Sequence, residues 1–132
     1  MCGLRWVELT IISINIGGIP VYVKGDTWRT SNFYHYTDIT GQSGNVVTYG
    51  NRESLATISY TTSWVLVGKF NLVIGDYYGV NYNTLDYVNW YKNGSSTGMA
   101  SVFLNKSGDT GSQMGILMTS DIESIYIEYI PD

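Results

Sequence analysis

Charge, cysteine, histidine and proline are all scarce in this chain, and most of these shortages close off a class of function. Only 14% of its 132 residues are charged, against about 25% in an average soluble protein. The seven Lys and Arg are scattered, and eleven Asp and Glu leave a net charge of −4. A phosphate backbone needs a basic face to neutralise it, so nucleic acid is excluded as a partner. A polybasic membrane patch is excluded on the same ground. The single cysteine, Cys2, forbids an internal disulfide. A free thiol near the N-terminus is its plainer reading, ahead of a bridge between two copies. The single histidine is His35, in "FYHYTD". No His/Cys spacing of the kind zinc requires accompanies it. His35 therefore reads as structural, and neither metal nor cofactor is expected.

Long apolar runs are missing too. The N-terminal stretch "MCGLRWVELTIISINIGGIPVYV" is interrupted by Glu8, Thr10, Ser13 and Asn15 and broken by Gly17-Gly18 and Pro20. A membrane-spanning helix needs about 20 consecutive apolar residues, so no membrane insertion is expected. A secretory signal fits poorly, because there is no basic n-region and polar residues alternate through the apolar stretch. Residues 9–16 read instead as a strand, with Ile12, Ile14 and Ile16 inward and Ser13 and Asn15 outward.

What the chain has in abundance is tyrosine, with twelve, and glycine, with fifteen. Tyr, Thr, Val, Ile and Trp suit pleated, half-buried surfaces, and strong helix formers are few. The hydrophobic period is 2 almost throughout. After a first strand over about Val7 to Ile16, a second is expected at Ile19 to Lys24, with Pro20 near its start because proline cannot donate to a ladder. Short strands follow around Phe33 to Tyr36 and Val46 to Tyr49, the latter inside a glycine-rich connection over residues 41–54. "TTSWVLVGKFNLVIGDYYG" carries Trp64, Leu66, Phe70, Leu72 and Ile74 on one parity, which is expected to line the core, with Gly68 marking a bulge or a close approach. Further strands fall at Leu85 to Lys92, Met99 to Leu104, Gln113 to Met118 and Ile122 to Ile130. Strands spaced by roughly 8–12 residues and divided by Gly/Asn/Asp/Ser turns indicate a sandwich or barrel. The expectation is one domain over residues 1–132: an all-β, antiparallel, jelly-roll-like β-sandwich of about eight to ten short strands.

Three groups of residues invite a chemical reading. Tyr77, Tyr78, Tyr82, Tyr87, Trp90 and Tyr91 crowd one stretch with Asn81, Asn83, Asp86 and Asn89. Aromatic faces stack on the C–H face of a sugar while amides and carboxylates bond its hydroxyls, so Tyr77, Tyr78, Tyr82, Asp86, Tyr87 and Tyr91 form a candidate glycan site. Against this, Trp90 shares parity with Val88 and reads as a core anchor, and sheet tyrosines need no ligand. In "YVNWYKNGSSTG", Asn93-Gly94 suits a tight reversal. The acids Asp76, Asp86, Asp109, Asp121, Glu123 and Glu128 could supply the carboxylate pair of a hydrolase, but most lie in turn sequences, where Asp bonds its own backbone. No nucleophile elbow, phosphate loop, metalloprotease helix or calcium loop occurs. Asn93-Gly94-Ser95 and Asn105-Lys106-Ser107 are glycosylation sequons in form, usable only in a secreted eukaryotic or archaeal setting.

The series "TTSWVLVGKFNL", "VNWYKNGSSTG", "NKSGDTGS" and "IYIEYIPD" resembles the β-sandwich modules of viral and phage structural proteins, over roughly residues 55–132. The low charge and the surplus of Tyr, Asn, Thr and Ile are similar to those of virion proteins of thermophilic archaeal viruses. The resemblance implies a non-enzymatic structural or accessory subunit, in a virion or its host cell, that associates with itself or with other virion proteins. Low surface charge and the enrichment of Tyr and Trp in interfaces agree with it. A carbohydrate-binding module is the alternative, and a carboxylate-pair hydrolase the second alternative.

Overall fold

The computed structural model describes residues 17–83, 86–95, 97–107 and 112–131. The strand expected at Val7 to Ile16 and the thiol of Cys2 lie outside these residues. Nine strands and no helix occur among them: β1 (Ile19–Lys24), β2 (Arg29–Ser43), β3 (Val46–Tyr60), β4 (Val65–Phe70), β5 (Tyr77–Asn81), β6 (Asp86–Lys92), β7 (Val102–Lys106), β8 (Gln113–Leu117) and β9 (Ile125–Pro131). They form a two-layer β-sandwich. One layer is a four-stranded sheet in the order β4-β1-β9-β6. The other runs β2-β3-β7-β8-β5 and closes on itself, because β5 pairs back onto β2.

Alternation builds the core. Val21 and Val23, Val88 and Trp90, and Ile125, Ile127 and Tyr129 point from the four-stranded sheet toward Phe33, Ile58, Tyr60, Tyr78, Val80, Met114 and Ile116 of the closed layer. Trp90 is the packing anchor its parity indicated, although its indole N–H meets no acceptor among the described residues. Inside the closed layer a second cluster gathers Tyr34, Tyr36, Val47, Tyr49 and Leu104. The Asn93-Gly94 reversal is also present. Both residues take positive φ (56° and 70°), and Ser95 N–H bonds Lys92 C=O at 2.9 Å.

Four expectations need correction. The ladder is not wholly antiparallel: β1 runs parallel to β9 and β3 parallel to β7. The strands are not all short either, since β2 and β3 have fifteen residues each. Residues 41–54 are largely strand, interrupted only at the Gly44-Asn45 turn. The polar residues that suggested a loop are the exposed arms of this long hairpin. Register shifts at Phe33/Tyr34 and Ile39/Gly41 bend it. The bends let its base join the main core while its far half lines the second cluster.

The parity of residues 64–74 is the fourth correction. Tyr22 faces Leu66 while Val21 faces Gly68, so Val67 is an extra residue in β4. The bulge reverses the alternation beside Gly68, as its glycine suggested. Phe70 and Leu72 pack on the core as expected and Val67 joins them, whereas Trp64 (41% exposed), Leu66 (48%) and Ile74 (63%) face outward. Strands expected to start at Met99 and Ile122 begin instead at Val102 and Ile125.

Candidate functional site

The six tyrosine and aspartate residues expected to form one glycan patch are distributed by strand alternation over separate regions. Tyr78 is in the core. Its ring stacks on His35 (centroids 4.8 Å apart), and its hydroxyl accepts the Val73 N–H at 2.8 Å. Burial raises its pKa. Its neighbour Tyr77 points the other way and donates to Gln42 Oε1 at 3.1 Å. Tyr87 and Tyr91 lie on the outer face of the four-stranded sheet. Tyr82 and Asp86 line a cleft between the two layers.

The outer face carries a tyrosine row set by register. Tyr22 of β1 is opposite Tyr126 of β9, which is opposite Tyr91 of β6, and Leu66 of β4 extends the row on the far side. Tyr22 and Tyr126 stack at 4.6 Å, and Trp64 meets Tyr126 edge-on at 5.1 Å. The next row holds Lys24, Glu128 and Asn89. Lys24 is 3.5 Å from Glu128 and lies over the Trp64 ring, while the Tyr91 hydroxyl donates to Glu128 at 3.0 Å. Burial, then that hydrogen bond to a carboxylate, raises the pKa of Tyr91. Sequence reasoning found Tyr87 and Tyr91 but missed Tyr22, Trp64 and Tyr126, because only register places the five on one face.

The inter-layer cleft measures about 590 Å³. Its rim is Trp28, 65% exposed and yet fixed by an Nε1–H bond to Ser59 Oγ at 3.1 Å. On its floor the buried Asp86 carboxylate pairs with Arg29. The Tyr129 hydroxyl donates to the Asn81 carbonyl at 2.6 Å and lies 3.1 Å from Ser31 Oγ. Burial pushes the Tyr60 hydroxyl up to about 12 and raises Tyr129 further. Trp28 and Arg29 escaped sequence reasoning, although a lone tryptophan in the polar run "GDTWRTSN" was a usable signal.

Of the remaining candidates, His35, Asp76, Asp121 and Glu128 have structural partners. His35 Nε2 lies 2.8 Å from Asp76 Oδ2. Asp121 bonds Lys92 and Thr119, and those two bonds, Lys92 first, hold its carboxyl down at about 2. Glu128 serves Lys24 and Tyr91. Asp109 is outside the described residues. Among those described, no three of His, Cys, Asp and Glu gather as a metal would require. The sequon nitrogen of Asn93 donates to Asp121 C=O at 2.8 Å, and its oxygen accepts the N–H groups of Glu123 and Ser124. No protein-family model, curated protein or solved structure matches the chain.

Proposed function

We propose that this chain is a non-enzymatic β-sandwich subunit that works by association, stacking the outer face of its four-stranded sheet against a second copy. The observation that carries this is the row Leu66–Tyr22–Tyr126–Tyr91 with Trp64 beside it. Tyr and Trp offer large, amphipathic contact area and are enriched in interfaces. Here stacking and the Glu128 contacts already fix the rings, so ordering them on association costs little. Lys24 and Glu128 lie side by side at the centre of the face. A two-fold apposition can therefore set each against its opposite on the other copy. The outer strands β4 and β6 are sheet edges among the described residues, which adds a lateral route to assembly. The setting of a virus or phage particle rests on the likeness of residues 55–132 to such modules.

Light scattering tests the reading. A defined oligomer is expected, and replacing both Tyr22 and Tyr126 by Ser is expected to give a monomer with an unchanged β-type circular dichroism spectrum. A monomer at every concentration of the unaltered chain would overturn it.

A further inference from the structure

We propose that the cleft between the layers binds an uncharged oligosaccharide, seated on the Trp28 ring. This site is separate from the tyrosine row and does not depend on association.

Shape comes first. A volume of about 590 Å³ falls inside the roughly 300–1,000 Å³ typical of small-ligand clefts. The cleft forms where the start of β2, the end of β3, residues 81–83, the start of β6 and the end of β9 meet, so strands hold most of its walls. The rim comes next. An indole 65% open to solvent is an unfavourable way to leave a large apolar face. Here the face is also immobilised, because Nε1 is tied to Ser59. A flat, apolar ring bordering a cleft with polar lining complements a pyranose, whose C–H face can lie against the indole while its hydroxyls meet the polar groups. Tyr82 adds a second aromatic wall.

The floor selects the charge class. Asp86 has only 2% of its side chain exposed and pairs with Arg29, whose side chain is 31% exposed. The pair cancels its own charge, and the exposed part of the Arg29 guanidinium still presents directional N–H groups. Asp86 beneath already neutralises the guanidinium, so an anionic sugar entering here gains no net charge partner, and a cation would meet Arg29 first. An uncharged ligand meets neither obstacle, and Asn32, Thr30 and Thr57 supply further amide and hydroxyl groups.

The test is a glycan array carrying uncharged hexose and N-acetylhexosamine oligosaccharides beside sialylated and sulfated ones, followed by calorimetric titration of the best binder. Binding to uncharged glycans is expected. Trp28→Ala is expected to weaken it by about tenfold or more, as befits one lost stacking partner. Trp28 is exposed, so this variant keeps its fold, and circular dichroism checks that it does. Tyr82→Ala is expected to weaken binding in the same direction, and Trp28→Ala is expected to leave the oligomer size unchanged. No binding to any uncharged glycan, binding confined to charged glycans, or affinity undiminished in folded Trp28→Ala would each overturn the assignment.

Discussion

Gln113 is the residue on which the second core cluster turns. Its side chain is buried and every polar site on it is used. The amide oxygen accepts the Tyr36 hydroxyl at 2.8 Å and Arg52 Nη1 at 2.6 Å; the amide nitrogen donates to the Tyr49 hydroxyl at 2.6 Å and to Leu104 C=O at 3.3 Å. Arg52 in turn covers the Tyr34 ring at 4.1 Å. A fully satisfied amide costs the core little, whereas a stranded hydroxyl costs about 1–3 kcal/mol. Gln113→Leu keeps the volume and strands both hydroxyls. It is expected to lower stability by about 2–4 kcal/mol, read as a shift of the urea midpoint without a change in slope. Adding Tyr36→Phe is expected to recover part of that loss, because one stranded group is then gone. Strictly additive costs for the two substitutions would show that the hydroxyl is not held by this amide.

At the scale of elements, β5 and β8 pair so closely that neither carries a side chain where their centres meet. Gly79 is opposite Gly115. A Cβ on Gly115 would lie 2.0 Å from Tyr78 C=O and 2.7 Å from Gly79 Cα, and one on Gly79 would lie 2.7 Å from Met114 C=O. Gly115→Ala must push two backbones apart and is expected to cost more than about 3 kcal/mol or to prevent folding. Gly41→Ala, where the nearest atom to the new methyl is Thr48 Oγ1 at 3.9 Å, is the control and is expected to cost under about 1 kcal/mol. Equal urea midpoints for the two variants would refute the close approach. Elements were legible where alternation runs unbroken: β1 has the bounds expected of it, and β6 presents the face that Trp90 indicated. The same rule misplaced Leu66, because a single extra residue in β4 reverses every side chain beyond it and leaves no trace in the hydropathy pattern. It also split β2 and β3, whose outer arms face water and lose the apolar half of the signal. The cleft was legible only through Asn81, Tyr82, Asn83 and Asp86. Its other residues come from distant segments that the long hairpin and the pairing of β6 with β9 bring together.

Over the whole molecule, both core clusters are built around neutral phenols, and this sets an upper pH limit on the fold. Burial raises the pKa of Tyr36 in one cluster and of Tyr129 in the other well above the ordinary 10.0, and lifts Tyr60 to about 12. A tyrosine that keeps its proton longer when folded than when unfolded contributes stability that is fully present below pH 10 and is lost as pH rises beyond it, because the unfolded chain then binds fewer protons than the folded one. Tyr36 and Tyr129 each steepen that loss by roughly 1.4 kcal/mol per pH unit. Small domains hold only about 5–15 kcal/mol in reserve, so two such groups acting together bring the midpoint of unfolding into strong alkali, about two pH units above 10, for a domain at the low end of that range. The expected result is a rise in phenolate absorbance in two phases, the second coinciding with loss of the β-type circular dichroism signal. Replacing Tyr36 and Tyr129 together by Phe is expected to flatten the fall of stability above pH 10 while leaving the slope below it unchanged. Their hydroxyls bond Gln113, Ser31 and Asn81, so the double variant is also expected to be less stable at neutral pH. The slope with pH, and not the absolute stability, is therefore the quantity to compare. A slope that stayed as steep in the double variant would mean that other groups set the alkaline limit, and that the two clusters are not held by protonated tyrosine.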